Sequence, residues 1–240
     1  MSTHDHEEVN HDPGDERSEL VSIVAHQLRV PLASIRLAHQ TLLDETMHEI
    51  TDSQRRLIKQ AESSAKRIDS LIGELFHLST IERTLDNPQH TAGSLEHLVE
   101  EVTDLLSLQA AQKEIALNQA YDPNPKLVRF DYNKLQEAIS NLIDNAIRYT
   151  PNKGTITVST EYTDSHAIVH VADTGIGIEP KQVERLFKKF VRLEQSRKIN
   201  PEGLGLGLYI TEQIVKKHGG VLKFEKNNPQ GTIFSVVLPF

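Results

Sequence analysis

The sequence predicts an α+β fold, in which a helical hairpin that forms a dimeric four-helix bundle is followed by an α/β sandwich domain. Two apolar repeats between residues 18 and 75 have alternating spacings of three and four residues, as on the packed face of a helix. After residue 154, short segments alternate apolar and polar residues, which is typical of strands, and further helical patterns are mixed among them. Helical and mixed regions thus follow one another, which predicts two domains.

Composition restricts the class of protein and ligand. The 240 residues carry a net charge of −8 and include no cysteine. An acidic chain is unsuited to phosphate-rich polymers, so we expect no nucleic-acid partner, and disulfides and thiolate metal sites are excluded. No apolar run approaches the ~20 residues of a membrane span, and the N-terminus lacks a secretory pattern. We expect a soluble cytoplasmic chain without membrane contact, from which any receptor part is missing.

Four segments are predicted along the chain. Residues 1–17 are polar and acidic with scattered histidines, which favours a disordered tail over a metal site. Residues 18–86 form the helical hairpin, which serves dimerisation. Residues 87–93 have the composition of a linker, and residues 94–240 form the sandwich domain.

Two apolar runs define the hairpin. They comprise Val21, Val24, Leu28, Pro31, Ile35, Ala38 and Leu42 in the first helix, and Ile58, Ala61, Ala65, Ile68, Ile72 and Leu75 in the second. Thr51 and Gln54 fit a capping box at the start of the second helix. Because two helices alone leave much of each apolar stripe in water, we expect two hairpins to pair as a homodimer.

Caps and alternation predict the elements of the sandwich domain. Ser94 caps a helix that runs to about Gln112, and Asp131 caps another. A further helix is expected from about Leu204 to Lys217. Strands are predicted over residues 155–159, 167–171, 221–226 and 232–238. Helices are expected to cover one face of the sheet.

Three motifs in this domain suit a nucleotide. Gly203, Gly205 and Gly207 precede an apolar helix, where the backbone can approach a phosphate and the helix N-terminus offers N–H groups. A packing turn would look the same. The segment is not a Walker loop, because Gly-Lys-Ser/Thr does not follow, and it is not a Rossmann fingerprint, because no strand leads directly into it.

The other two motifs are an aspartate turn and an asparagine pair. Asp173, Gly175 and Gly177 end a predicted strand, where the carboxylate can accept a hydrogen bond from an amino group; a plain strand-ending turn is the alternative. Asn141 and Asn145 lie four residues apart on one helix face. Amide oxygens suit Mg²⁺, although two polar residues on a wet face have the same spacing.

His26 lies in the first helix, in the segment 26–31. With the apolar residues of that helix at heptad positions a and d, His26 falls at position f and faces outward. A neutral imidazole there is accessible to a phosphate donor, as any solvated histidine is. Pro31 removes the hydrogen bond to the carbonyl of Gln27, and because the apolar run continues beyond it, we expect a kink.

Together and in this order, the four motifs resemble the H, N, G1 and G2 boxes of the sensor histidine kinases, part of an ATPase superfamily shared with gyrase and mismatch-repair ATPases. Phe187 and Phe190 resemble the F box, and residues 231–234 and 238–239 resemble the terminal strand. The resemblance covers residues 18–240 and implies ATP and Mg²⁺ as ligands.

The resemblance gives each motif residue a role at the phosphate end. Asn145 would be the Mg²⁺ ligand, with Asn141 and Arg148 near the phosphates. A lid over residues 179–202 would move on three glycines that also hold the phosphates: Gly203, Gly205 and Gly207.

It likewise implies the residues of the adenine pocket. Asp173 would accept a hydrogen bond from the adenine amino group, with Thr232 helping nearby. Gly175 and Gly177 would shape the pocket, and Tyr149 would line it.

Departures from the related families bear on the reaction. The related ATPases have a water-activating glutamate at the position of Asn141, and an amide cannot take that proton, which points to transfer onto His26. The family usually places an acid after the histidine. Gln27 can accept a hydrogen bond from Nδ1–H and leave Nε2 to attack, but it is no base, so we expect a slower kinase. Val30 cannot position the water that removes phosphate from the partner, which does not support phosphatase activity.

We therefore expect a dimeric histidine autokinase that transfers the ATP γ-phosphoryl group to His26 and then to an aspartate of a separate response-regulator receiver domain. One alternative is an ATP-binding pseudokinase in which Gln27 has abolished transfer. Another is an ATPase or a serine/threonine kinase on the same nucleotide fold. Ile23 and Val30, which flank His26, belong either to a wide bundle face or to a docking surface.

Overall fold

The computed structural model describes residues 28, 32–33, 35–37, 40, 51–84, 88–199 and 205–240. The predictions for the tail, for the segment around His26 including Gln27 and Val30, and for Gly203 lie outside these residues. The chain divides into two compact units, Met1–Arg83 and Thr84–Phe240. Among the described helices, none is long and apolar enough to cross a membrane.

The described residues of the first unit are helical, apart from Thr51. Residues 28, 32, 33, 35–37 and 40 are helical, and helix α1 spans Asp52–Thr84. Thr51 and Gln54 form the predicted capping box: Gln54 N donates to Thr51 Oγ1 at 3.3 Å, and Thr51 N donates to Gln54 Oε1 at 2.9 Å. These reciprocal bonds satisfy two backbone donors and fix the start of α1.

The two helical segments of this unit pack against each other. Leu32 forms a buried cluster with Ala65 and Ile72 of α1. Beside this cluster, Arg36 Nη1 lies 3.5 Å from Asp69 Oδ2. The buried positions of α1 are among those that the periodicity predicts, which confirms the pairing of two helices.

A five-stranded sheet forms the frame of the second unit. Its strands, with those of a small separate sheet, are β1 (Thr91–Gly93), β2 (Ala116–Ala120), β3 (Val128–Phe130), β4 (Thr155–Tyr162), β5 (His166–Asp173), β6 (Val221–Lys226) and β7 (Thr232–Pro239). The large sheet has the order β2-β4-β5-β7-β6, with β2 parallel to β4 and the other neighbours antiparallel. In the small sheet, β1 pairs antiparallel with β3.

The helices of this unit are α2 (Leu95–Gln112), α3 (Tyr132–Tyr149), α4 (Pro180–Leu186), α5 (Glu194–Ile199) and α6 (Gly207–Lys217). Ser94 and Asp131 cap α2 and α3 as predicted. Each side-chain oxygen accepts a hydrogen bond from the backbone N–H three residues later, from His97 and Lys134 respectively.

The core lies between the large sheet and helices α2, α3 and α6. Alternate side chains of the central strands, such as Val158 and Val169, are buried against Leu98 of α2 and Ile139 of α3. The buried alternation confirms that helices cover one face of the sheet. The β5–β7 register places Asp173 opposite Thr232, so one end of the sheet carries both residues.

The structure corrects two sequence-based boundaries. Residues 91–93, which composition assigns to the linker, form β1 and pair with β3. The partner comes from a distant part of the chain, so local composition does not reveal it. Helix α6 begins at Gly207 rather than near Leu204, because Gly205 has a φ of +78°, outside the helical region.

Candidate functional site

Asp173 is a buried carboxylate at the end of β5. Its Oδ1 accepts hydrogen bonds from Gly175 N at 2.7 Å and from Thr232 N at 3.2 Å. Burial raises the pKa of Asp173 to about 6, although these two hydrogen bonds act in the opposite direction. Both described donors use Oδ1, so Oδ2 is available to an amino group of a ligand. The predicted adenine contact therefore has a suitable acceptor, and Thr232 lies beside it.

Close backbone packing explains the glycines around this carboxylate. A Cβ on Gly175 would lie 2.7 Å from both Asp173 Oδ1 and Tyr149 O. Gly177 has a φ of +71°, which favours glycine. Ile176 N donates to Tyr149 O at 3.2 Å, so Tyr149 joins the turn through its backbone.

Two further residues support the aspartate from β7 and the turn before it. Gly231 has a φ of +123°, and a Cβ there would lie 1.9 Å from the backbone oxygen of Asp173. Asn227 Nδ2 donates to the same oxygen at 2.7 Å. The sequence motifs place Gly231 only in the terminal strand and give Asn227 no role. A glycine directly before the last strand is the signal that could have assigned Gly231 to the site.

The asparagine pair and the glycine-rich segment meet at a second place. A Cβ on Gly207, the first residue of α6, would lie 3.8 Å from Asn141 Oδ1 and 3.9 Å from Asn145 Nδ2. At the other end of α6, Asp131 N donates to His218 Nε2 at 2.9 Å, so α6 runs antiparallel to α3. The N-terminus of α6 is thereby directed to the asparagines.

This arrangement suits an anion. No side chain among the described residues caps the first turn of α6, and the helix dipole favours negative charge there. Asn145 offers an amide oxygen of the kind that binds Mg²⁺ together with phosphates and waters. In the described part of the chain, no three acidic, histidine or cysteine side chains cluster as a metal site.

The lid region contacts both ends of this site. A Cβ on Gly205 would lie 2.5 Å from Val191 O, so only glycine fits at this point of the segment. Gln195 Nε2, on α5, donates to Gly177 O at 3.2 Å. Two residues in the second half of the predicted lid, Val191 and Gln195, are thus held near the glycines of both motifs.

Arg148 forms an ion pair near the end of α3. Its Nη2 lies 2.6 Å from Asp144 Oδ2, one turn earlier on α3. The structure thus brings together Asn141, Asn145 and Gly207. Arg148, three residues after Asn145 on the same helix, is paired with Asp144, and its place near the phosphates stays a prediction. His26, Gln27 and Gly203 lie outside the described residues.

Comparisons with known proteins agree with this geometry. Residues 130–240 match the family model described as histidine kinase-, DNA gyrase B-, and HSP90-like ATPase, and residues 16–84 match the His Kinase A (phospho-acceptor) domain. The chain is 32% identical over 225 residues to the circadian input-output histidine kinase CikA of Synechococcus elongatus, covering 93% of this chain and 30% of that protein. It is 26% identical over 224 residues to the sensor protein SrrB of Staphylococcus aureus, covering 93% and 38%.

Solved structures show the same fold. Full-length ShkA in complex with AMPPNP superposes with a TM-score of 0.72 at 25% identity, over 92% of this chain and 46% of ShkA. ThkA in complex with the response regulator protein TrrA superposes with a TM-score of 0.64 at 22% identity, over 95% of this chain and 64% of ThkA.

The family assignment rests on both units. The chain spans about a third of the length of the curated relatives that it matches. Within that span, the phospho-acceptor match covers the helical unit and the ATPase match covers the site built on Asp173, Asn145 and Gly207. The chain therefore belongs to the sensor histidine kinases, of which it carries the catalytic core.

Proposed function

We propose that this chain is an ATP-dependent autokinase that phosphorylates His26 and passes the phosphoryl group to a response regulator. The observation that carries the proposal is the meeting of Gly207 with Asn141 and Asn145, in the same unit as the Asp173 carboxylate. Asp173 offers an acceptor for the amino group of adenine, and the N-terminus of α6 offers a site for phosphates. The two places thus match the two ends of ATP.

Asp173 would recognise the adenine. Its pKa of about 6 leaves it mostly ionised at neutral pH, and an ionised Oδ2 accepts a hydrogen bond from the exocyclic amino group. Its position is fixed by two backbone N–H groups on Oδ1, so little reorganisation is needed on binding.

The residues at the other end would hold the triphosphate. The N-terminus of α6 would face phosphate oxygens, and Asn145 would be the protein ligand of Mg²⁺, which neutralises phosphate charge when bound. Asn141 has no proton-accepting group for water activation, which favours transfer to a protein nucleophile over hydrolysis.

His26 would be that nucleophile. Neutral imidazole Nε2 forms a bond to the γ-phosphorus, the bond from that phosphorus to the bridging oxygen breaks, and ADP leaves. The Nδ1–H group would donate a hydrogen bond to Gln27, and its proton would then pass to solvent. An aspartate of a separate receiver domain would take the phosphoryl group from His26 in turn.

We further propose that the chain works as a homodimer in the cytoplasm, where ATP is supplied. In the single chain, Ile35 is 48% exposed and Ile68 is 45% exposed, although both belong to the apolar runs of the hairpin. Pairing of two hairpins would remove both from water, which is favourable by about 25 cal/mol per Å² of apolar surface.

Labelling with γ-³²P ATP tests the proposal. We expect an acid-labile, base-stable label on the wild-type chain that is absent from His26→Gln and from Asp173→Asn. Binding of ATP without any label would instead support the pseudokinase alternative. An acid-stable label, or phosphate release that persists in His26→Gln, would support the serine/threonine kinase or ATPase alternatives.

A further inference from the structure

Asp144 lies on α3 and contacts α2. It also forms an ion pair with Arg148, the residue that the resemblance places near the phosphates. Its Oδ2 accepts a hydrogen bond from Arg148 Nη2 at 2.6 Å, and its Oδ1 accepts one from Gln109 Nε2 of α2 at 2.8 Å. Each carboxylate oxygen thus has one donor, one from its own helix and one from the neighbouring helix. The carboxylate is therefore fixed from both sides.

The helix geometry places Arg148 on the face of the anion site. It follows Asn141 by seven residues, about two turns, and follows Asn145 by three, so the three residues share a face of α3. That face is the one that Gly207 meets. Arg148 therefore extends from the same surface as the asparagines, with Asp144 beside it.

The end of α3 is itself held by α2 and the turn after it. Lys113 Nζ donates to the carbonyl oxygens of Ile147, Arg148 and Thr150 at 2.7, 3.1 and 2.7 Å. The backbone that carries Arg148 is thus anchored, and Asp144 restricts its side chain. One of the five guanidinium N–H donors is used by Asp144, which leaves others for a phosphate.

We propose that Asp144, held by Gln109, is a positioning residue that orders the guanidinium of Arg148 for the ATP phosphates. The inference rests on the proposed nucleotide site. Asp144 and Arg148 side chains are 31% and 37% exposed, so the pair contributes little to folding, as an exposed ion pair of one helix does. Ordering one long, flexible side chain before binding corresponds to about a two- to tenfold gain in affinity.

Asp144 also carries a negative charge. The effect of that charge on anion binding and the effect of ordering Arg148 have opposite signs. Removing a negative charge near an anion site strengthens anion binding if charge alone matters. Losing the order of Arg148 weakens it. Because the carboxylate is partly exposed and already paired, water and salt screen its long-range field, and we expect the loss of order to dominate.

The test measures Mg-ATP and adenosine affinity by calorimetry with the full chain. In Asp144→Asn, we expect the dissociation constant for Mg-ATP to rise about two- to tenfold and that for adenosine to stay unchanged. Gln109→Leu should shift the Mg-ATP constant in the same direction by less. Asp144→Asn should add nothing when Arg148→Met is already present, because its effect passes through the guanidinium.

Glu212→Gln is the matched control. Glu212 pairs with Lys216 at 2.9 Å with the same four-residue spacing, so this variant removes one charge from a similar pair on α6 and should leave Mg-ATP affinity unchanged. Tighter or unchanged Mg-ATP binding in Asp144→Asn, an equal loss for adenosine, or additivity with Arg148→Met would each overturn the inference. A wild-type chain that binds no ATP would overturn the proposed function as well.

Discussion

Alanine at Gly231 and at Gly207 should have opposite effects on stability. Gly231 has a φ of +123°, and its Cβ would lie 1.9 Å from the backbone oxygen of Asp173. Rotation of a side chain cannot relieve a contact with backbone. Gly207 begins α6, and its Cβ would lie 3.8 Å from Asn141 Oδ1, an ordinary contact distance.

The magnitudes follow from these contacts. In Gly231→Ala, backbone strain of about 1–3 kcal/mol adds to about 1–3 kcal/mol for the displaced neighbour, so unfolding should become easier by about 2–6 kcal/mol. At about 2–4 °C per kcal/mol for a domain of this size, the melting temperature should fall by at least about 4 °C. In Gly207→Ala, the helix propensity of alanine should raise stability by up to about 1 kcal/mol.

In Gly207→Ala, Mg-ATP binding should weaken although the fold becomes more stable. The added methyl group would occupy the space between the first turn of α6 and the asparagines, where we place the phosphates. We expect Mg-ATP affinity to fall at least about tenfold, which is about 1.4 kcal/mol, while the fold stays intact.

Thermal unfolding by far-ultraviolet circular dichroism and calorimetric titration with Mg-ATP measure the two quantities. A Gly231→Ala chain that melts like the wild type would refute the argument from backbone contact. Wild-type ATP affinity in Gly207→Ala would refute the position given to the phosphates, whatever the melting temperature.

Three further predictions concern charge and protonation. Asp173→Asn removes a buried charge but keeps an Oδ1 for both N–H donors, so melting at pH 7.5 should show a gain of up to about 3 kcal/mol while calorimetry shows lost ATP binding. Burial lowers the pKa of His218, so on acidification the imidazole is protonated in the unfolded chain before it is in the folded one. Stability should therefore fall as the pH drops below 6.5, and urea unfolding at two pH values should show a smaller fall in His218→Asn. Gln27→Glu should label faster with ATP, because a carboxylate is the stronger acceptor for Nδ1–H; a slower rate would contradict the role given to Gln27.

The sign of the pH dependence differs between the two buried groups. The folded-state pKa of Asp173 lies above its ordinary value of 3.8, so the folded chain binds that proton more tightly, and stability is recovered as the pH falls through 6. His218 has a folded-state pKa below its ordinary value of 6.5, so its neutral form supports the fold and this support is lost on acidification. Titration of Asp173→Asn would isolate the histidine part.

The parts of the fold that depend on local chemistry are predictable from the sequence. The caps Ser94 and Asp131 and the capping box at Thr51 are formed as predicted, because each involves groups three residues apart. Strand β2 was not predicted: its side chains are mostly exposed, so it lacks apolar alternation, and parallel pairing with β4 defines it. Strand β1 was assigned to the linker for the same reason.

In the candidate site too, the sequence predicts what depends on local spacing and does not predict what depends on distant partners. Spacing shows that Asn141, Asn145 and Arg148 share a helix face, and the structure brings the first two to Gly207. Spacing does not show which partner a long side chain takes, and the pairing of Arg148 with Asp144 was not predicted. Gly231 was missed because its requirement for glycine comes from Asp173, far away in sequence.

The features that destabilise the free second unit are those that a nucleotide would satisfy. Asp173 is a buried carboxylate whose Oδ2 has no donor among the described residues, and no described side chain caps the first turn of α6. ATP would supply an amino donor to the first and an anion to the second. The folded state alone forms both places, so ATP should stabilise it by RT ln(1 + [ATP]/Kd), about 2.7 kcal/mol at one hundred times Kd. Asp173→Asn should remove that ligand-dependent gain even though it melts higher than the wild type without ATP.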